Sequence, residues 1–144
     1  HNNNNGAYFI EFEFSALNNG TYYLLNLQAT GGGNGRIMYG ASTNDIRTYD
    51  GTNNPSVDAI VPINVVSKAA ICYDTTDDKY NINYNNLWGT ETAYSGFTVG
   101  AALYLYPPAA NITKALQAVK LRELKRYDIT SFAEGESIID GEMA

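Results

Sequence analysis

Apolar and polar residues alternate one by one along most of this chain, and only an extended backbone turns such a period of two into a single core face. In Ala7-Tyr8-Phe9-Ile10-Glu11-Phe12-Glu13-Phe14 the alternation sets Tyr8, Ile10, Phe12 and Phe14 on one side and Phe9, Glu11 and Glu13 on the other. Residues 21–27 resume it after Asn18-Asn19-Gly20, and the two segments read as a hairpin because Asn and Gly tolerate turn dihedrals. Residues 36–40 form a short strand after the glycine loop 31–35, and residues 45–49 and 57–61 flank a second turn, Asp50-Gly51-Thr52-Asn53-Asn54-Pro55. A mostly buried strand over 65–73 ends at Asp74-Thr75-Thr76-Asp77-Asp78, and Lys79-Tyr80-Asn81-Ile82-Asn83-Tyr84 alternates again before a tight turn at Asn85-Asn86. A further strand over 98–106 is stopped by Pro107-Pro108. About ten short strands with regular turn signals predict an all-β sandwich or barrel.

Helical signals are confined to the end of the chain. Residues 114–126 combine helix-favouring Ala, Leu, Lys, Glu and Arg with Val119 and Leu121 at strand spacing, so both readings stand on propensity. Ser131-Phe132-Ala133-Glu134 has capping-box spacing and predicts a single helical turn. Residues 7–135 are expected to form one domain, preceded by a linker over 1–6 and followed by an acidic tail over 136–144. The chain opens on His1 and not Met, as a processed product or a piece of a longer protein would.

Composition decides which chemistries remain. The 144 residues suffice for one domain with a real core, so neither disulfide nor metal is needed to hold it. Cys72 has no second cysteine to pair with and reads as a small buried hydrophobe. The single histidine is His1, which removes Ser-His-Asp and Cys-His chemistry. A formal charge of −6 argues against nucleic acid, which needs clustered Lys and Arg. No apolar run approaches the roughly 18 residues of a membrane span, so a soluble chain is expected. The glycine loop leads into a strand and not a helix N-terminus, so it is no phosphate cradle.

Charge is nonetheless uneven. Five of the nine basic residues (Lys114, Lys120, Arg122, Lys125 and Arg126) fall within 114–127, whereas 128–144 holds five acids and no base. Either this is a solvated face beside a polar tail, or the two segments meet each other or another subunit. Asp74, Asp77 and Asp78 are weak candidates for a calcium loop, with an acidic turn the simpler reading. Two acceptor patterns for N-glycosylation, at Asn19 and Asn111, are within chance for a chain with 17 asparagines.

The order of these features resembles the concanavalin A-like lectin/glucanase jelly roll, in the LamG-like form found in phage tail fibre and tailspike proteins. The resemblance rests on the opening strand over 8–14, on Asn34-Gly35-Arg36-Ile37, and on Lys68-Ala69-Ala70-Ile71-Cys72-Tyr73-Asp74. It continues through the strand and hairpin over 80–88, Phe97-Thr98-Val99-Gly100, and a closing basic strand before Ser131-Phe132-Ala133-Glu134. It covers residues 7–135 through short motifs whose order is the specific part. It implies a two-sheet antiparallel jelly-roll β-sandwich in which residues 118–127 are a strand. Asn86 is followed by Leu87 where the family often has Gly, which puts that turn's geometry in question.

The glucanase branch of this fold carries acids at alternate strand positions facing a cleft. Glu11 and Glu13 share a strand face but lack a third acid, and alternation explains them as the solvent side. No catalytic residue and no cofactor are therefore expected. Carbohydrate binding suits the residue types better, because sugar C–H faces stack on aromatic rings while hydroxyls bond amides and carboxylates. Tyr84-Asn85-Asn86-Leu87-Trp88 and Tyr49-Asp50-Gly51-Thr52-Asn53-Asn54 offer that combination, giving Trp88, Tyr84, Asn85, Asn86, Tyr49, Asp50, Asn53 and Asn54 as candidates. The competing reading has the tyrosines packing the sandwich or an intersubunit seam. The resemblance thus implies a virion tail component binding a host cell-surface glycan, or a structural homotrimer or spacer of a fibre. A less favoured alternative is an accessory module of a polysaccharide-degrading enzyme.

Overall fold

The computed structural model describes residues 4–17, 20–27, 35–96 and 119–144. Nine strands and one helix lie in these segments: β1 (Asn5–Phe14), β2 (Thr21–Asn26), β3 (Arg36–Gly40), β4 (Asp45–Tyr49), β5 (Ser56–Asp58), β6 (Ser67–Asp74), β7 (Lys79–Tyr84), β8 (Leu87–Trp88), β9 (Val119–Tyr127) and α1 (Phe132–Met143). They build a five-stranded sheet in the order β8-β7-β6-β1-β9 and a four-stranded sheet in the order β2-β3-β4-β5. Every ladder between them is antiparallel.

The alternation read from sequence is what packs the sheets together. Tyr8, Ile10, Phe12 and Phe14 of β1, Ile71 and Tyr73 of β6, and Tyr80, Ile82 and Tyr84 of β7 form one wall of the core. Tyr22 and Leu24 of β2, Ile37 and Tyr39 of β3, Ile46 of β4 and Val57 of β5 form the other. Burying a side chain of this size stabilises by roughly 1.5–3 kcal/mol, so a dozen or more of them explain why no staple is needed. Three of the tyrosine hydroxyls in this core have polar partners. The Tyr80 hydroxyl shares a hydrogen bond with Thr48 of the opposite sheet, the Tyr84 hydroxyl is 3.2 Å from Ser67 Oγ, and the Tyr39 hydroxyl accepts from the Val61 amide at 3.3 Å. Burial pushes the Tyr80 phenol well above its ordinary pKa, against the opposing effect of the Thr48 bond.

Two expectations change, and one reading that local propensity left open closes as the resemblance implied. β1 and β2 are not a hairpin: β1 is flanked on both edges by β6 and β9, so the chain leaves it for the other sheet. Local turn chemistry at Asn18-Asn19-Gly20 cannot reveal this, because long-range pairing decides which sheet a strand joins. Residues 119–127 are strand despite their helix-forming composition, as β9 pairs along β1 from Ala7 to Phe14. The single helical turn expected at 131–134 is the start of a twelve-residue helix that runs on through the acidic residues after Glu134. The strand expected over 98–106 and the glycines at 31–33 lie outside the described residues.

Helix α1 exists because its two ends and one face are satisfied by the sandwich. Ser131 is the N-cap, its Oγ accepting from the Glu134 amide at 3.2 Å, while the Glu134 carboxylate accepts from the Thr130 amide at 2.6 Å. Asp77, in the β6–β7 turn, accepts from the Phe132 amide at 2.9 Å, so a residue 55 positions away helps start the helix. Phe132, Ile139 and Met143 then pack on Ala7, Phe9, Ala70 and Cys72, the outer face of the five-stranded sheet. Gly135 permits the close approach, since a Cβ there would collide with Cys72 Sγ and lie 3.0 Å from Ile129 Cδ1. Cys72 is fully buried in this second core, which raises its thiol pKa, as the sequence reading of a buried hydrophobe requires.

The uneven charge also resolves within the chain. Lys125 of β9 reaches the Glu142 carboxylate at 2.8 Å, the Tyr127 hydroxyl donates to the same carboxylate, and Lys68 Nζ donates to the Glu142 carbonyl at 2.8 Å. The basic strand and the acidic helix therefore meet, which is the contact between segments that the sequence left as one of two readings. Among the described residues no helix is long and apolar enough to cross a membrane.

Candidate functional site

The two segments proposed as sugar sites lie on opposite sides of the sandwich. In the β7–β8 hairpin, Tyr84 points into the core, and Asn85 and Asn86 take φ values of 45° and 71°, so two asparagines form the turn with no glycine in it. The Asn85 carboxamide accepts from the Lys68 amide at 2.8 Å. Trp88 lies on the helix side of the five-stranded sheet, packed against the second core, and its Nε1 donates to Asp140 of α1 at 2.8 Å. This hairpin therefore closes a turn and seats a helix.

The β4–β5 loop divides its residues between scaffold and surface. Asp50 is 1% exposed and accepts from the Thr52 amide at 2.9 Å, the Asn53 amide at 2.6 Å and the Ser95 amide at 2.7 Å. Asn53 donates to the Ala93 carbonyl at 2.8 Å, so this pair fastens the loop to the segment following β8. Tyr49 and Asn54 are left at the surface, where both line a cavity of about 250 Å³.

That cavity lies on the outer face of the four-stranded sheet and is built by register. β-Strand side chains alternate between faces, so the residues next along the chain to core-facing Tyr22, Ile37, Tyr39 and Ile46 point outward in rows across the strands. One row is Tyr23, Met38 and Arg47; the next pairs Arg36 with Tyr49. Thr21 and Asn54 complete the lining. The Arg36 guanidinium lies between two aromatic rings, 5.4 Å from the centroid of Tyr23 and 5.3 Å from that of Tyr49. Its Nε is shielded from solvent and has no hydrogen-bond partner among the described residues. Arg47 is steered by Asp45, whose carboxylate it meets at 3.3 Å and which also accepts from Thr43. Gly40 leaves the space these groups occupy, since a Cβ there would sit 2.6 Å from Asp45 Oδ1.

Sequence reasoning identified Tyr49 and Asn54 but not Thr21, Tyr23, Arg36, Met38 or Arg47, which belong to three strands. The available signal was the type of residue on the polar side of the alternation: Thr21-x-Tyr23, Arg36-x-Met38 and Arg47-x-Tyr49 put rings and guanidinium groups where short polar side chains would suffice.

Asp74, Asp77 and Asp78 behave as an acidic turn. Asp74 accepts from the Thr76 amide at 2.7 Å, Asp77 caps α1, and Asp78 accepts from the Tyr94 amide at 3.2 Å. Among the described residues no group of three or more His, Cys, Asp or Glu is placed to hold a metal ion. Glu13 is engaged by Arg122 at 2.6 and 3.0 Å, and Glu11 lies across the ladders from Lys68 and Glu123.

No protein-family model matches the sequence, and neither does any curated protein. Solved structures do match in shape. The Trypanosoma rangeli sialidase aligns over 97% of this chain with a TM-score of 0.67 at 13% identity, but this chain spans only 23% of the sialidase. The CBM40 module of the Ruminococcus gnavus IT-sialidase, solved bound to α2,3 sialyllactose, aligns over 94% of this chain and 82% of its own, with a TM-score of 0.61 at 14% identity. The carbohydrate-binding module CBM66 from Bacillus subtilis aligns over 87% of this chain and 76% of its own, with a TM-score of 0.59 at 10% identity. The fold is a lectin-type jelly roll. At these identities the likeness establishes the architecture expected from the order of strands, and nothing about ligands.

Proposed function

We propose that this domain is a non-catalytic carbohydrate-binding jelly roll that holds a glycan in the cavity on the outer face of β2, β3 and β4. The observation that carries the reading is the pairing of two partly exposed rings, Tyr23 and Tyr49, with Asn54 and Thr21 around one open cavity. Rings stack on sugar C–H faces and the amide and hydroxyl bond sugar hydroxyls. The modules CBM40 and CBM66, which share the fold over 82% and 76% of their own chains, support it as fold-level analogy. The hold of Arg122 on Glu13 suits the non-catalytic reading. The order of strand motifs favours a place in a virion tail fibre or tailspike, where glycan binding would attach the particle to a host cell surface.

A glycan array probed with the wild type, Tyr49→Ala and Trp88→Ala separates the two candidate segments. Binding lost in Tyr49→Ala and kept in Trp88→Ala supports the sheet-face site, and the reverse places the site at the β7–β8 hairpin.

One observation favours a second, structural reading in which the domain assembles as a homotrimer in a fibre. Ile60, Ile63, Val65 and Val66 are all exposed within seven residues, Ile60 at 76%. Closed symmetry is the usual outcome when identical subunits bury such a strip. Light scattering decides it: a trimer that dissociates in Ile60→Ser with glycan binding lost supports assembly as the primary role.

A further inference from the structure

We infer that the cavity on the four-stranded sheet recognises a sugar that carries a carboxylate. The inference rests on the carbohydrate-binding reading above and names its ligand class. The chain has a formal charge of −6, yet the described lining of this cavity contains two arginines and no acid. A neutral sugar would not need that local inversion.

The two guanidinium groups are held as recognition groups are. The Arg36 guanidinium lies within cation–π distance of both the Tyr23 and the Tyr49 ring, contacts that restrain it and leave its N–H groups for hydrogen bonding. Its Nε is removed from solvent with no acceptor among the described residues, an arrangement that native proteins seldom leave without a ligand or water to satisfy it. Arg47 is oriented from behind by Asp45, so it too enters the cavity in a defined pose. A guanidinium edge matches a carboxylate through two parallel N–H···O bonds, which neither a hydroxyl nor an amide can return. The aromatic walls and a volume of about 250 Å³ supply room and stacking surface for the ring that bears the carboxylate.

The test is titration by calorimetry or ligand-observed NMR with five probes: α2,3 sialyllactose, a glucuronic acid-terminated disaccharide, the carboxyl-reduced form of each, and a 6-sulfated disaccharide. We expect at least one carboxylated probe to bind ten or more times more tightly than its reduced form. Arg36→Gln and Arg47→Gln should each lose that preference by tenfold or more. Arg36→Lys, which keeps the charge over the two rings but not the planar fork, should fall between, and an unchanged melting temperature shows that the variants are folded. If carboxylated and reduced forms bind equally and Tyr49→Ala abolishes both, the carboxylate inference is wrong while the carbohydrate-binding reading stands. Binding of the sulfated probe alone also overturns it, in favour of sulfate. If no probe binds, both the inference and the site fall.

Discussion

The sandwich has two outer faces, and they are built by the same alternation to opposite ends. Behind the five-stranded sheet the outward residues are Ala7, Phe9, Ala70 and Cys72, and helix α1 seals them into a second core. Across the molecule the outward residues are Tyr23, Met38, Arg36, Arg47 and Tyr49, which surround an open cavity. The small side chains of Ala7, Ala70 and Cys72 on one face leave room for a helix to approach the sheet closely, Gly135 against Cys72. Long side chains with planar groups on the other stand off any such cover and present hydrogen-bonding edges. If stability rests mainly on the first face and, as proposed above, recognition on the second, mutation can break that division.

The largest effect should come from Phe132→Ala, which empties a position that is 1% exposed on the sealed face and should cost about 3–5 kcal/mol in urea denaturation. A loss below about 1 kcal/mol would mean that the helix is not integral to the fold. Gly135→Ala should follow at about 1–3 kcal/mol, because the added methyl group meets Cys72 and Ile129 and forces the helix off the sheet. Asp77→Ala removes the acceptor of the Phe132 amide and should cost about 1 kcal/mol, read as faster amide exchange in the first turn of α1. On the open face the order reverses: Arg36→Gln should change stability by no more than about 1 kcal/mol, the worth of an exposed cation–π pair, while acidic-glycan binding collapses.

The smallest effect is a pH dependence confined to the sealed face. Hydrogen bonds from Lys125 and Tyr127 lower the Glu142 pKa, and those from Thr130 lower that of Glu134. Groups depressed on folding bind fewer protons in the native state, so their stabilisation is complete above the ordinary carboxylate range near about 4.3. It is lost as pH falls through the depressed values. Glu136, raised chiefly by burial, works in the other direction and blunts the loss. Mild acid should therefore loosen α1 slightly, visible in far-UV circular dichroism at pH 3–4 as a reduced helix signal, and Glu142→Gln should flatten that response.

How much of this was legible depends on the range of the interactions. The core walls follow from alternation within single strands, as at Tyr8, Ile10, Phe12 and Phe14, and the Asn85-Asn86 turn follows from local dihedral preference. The strand at 119–127 was legible only through its place in the order of motifs, because Lys120, Arg122, Glu123 and Lys125 favour helix locally. Helix α1 was only half visible. Gly135 and Gly141 weaken its propensity, and Gly135 is required by a neighbour 63 positions earlier, Cys72. The cavity was the least legible feature, since Arg36 and Tyr49 become neighbours only through the β3–β4 register, and Arg36 alone reads as an ordinary solvent-side residue. Of the proposed sugar residues, those with the strongest turn chemistry, Asp50 and Asn53, hold the loop in place.

The tethering of Trp88 to Asp140 reaches beyond architecture. Trp88 is the only tryptophan in the chain, and its indole is fixed to the helix on the face away from the cavity. Intrinsic emission excited at the red edge of its absorption is thus an internal gauge of helix docking that is insulated from whatever occupies the far sheet. A glycan titration followed by that signal alone would look like silence, and a change in it would report that the two faces communicate.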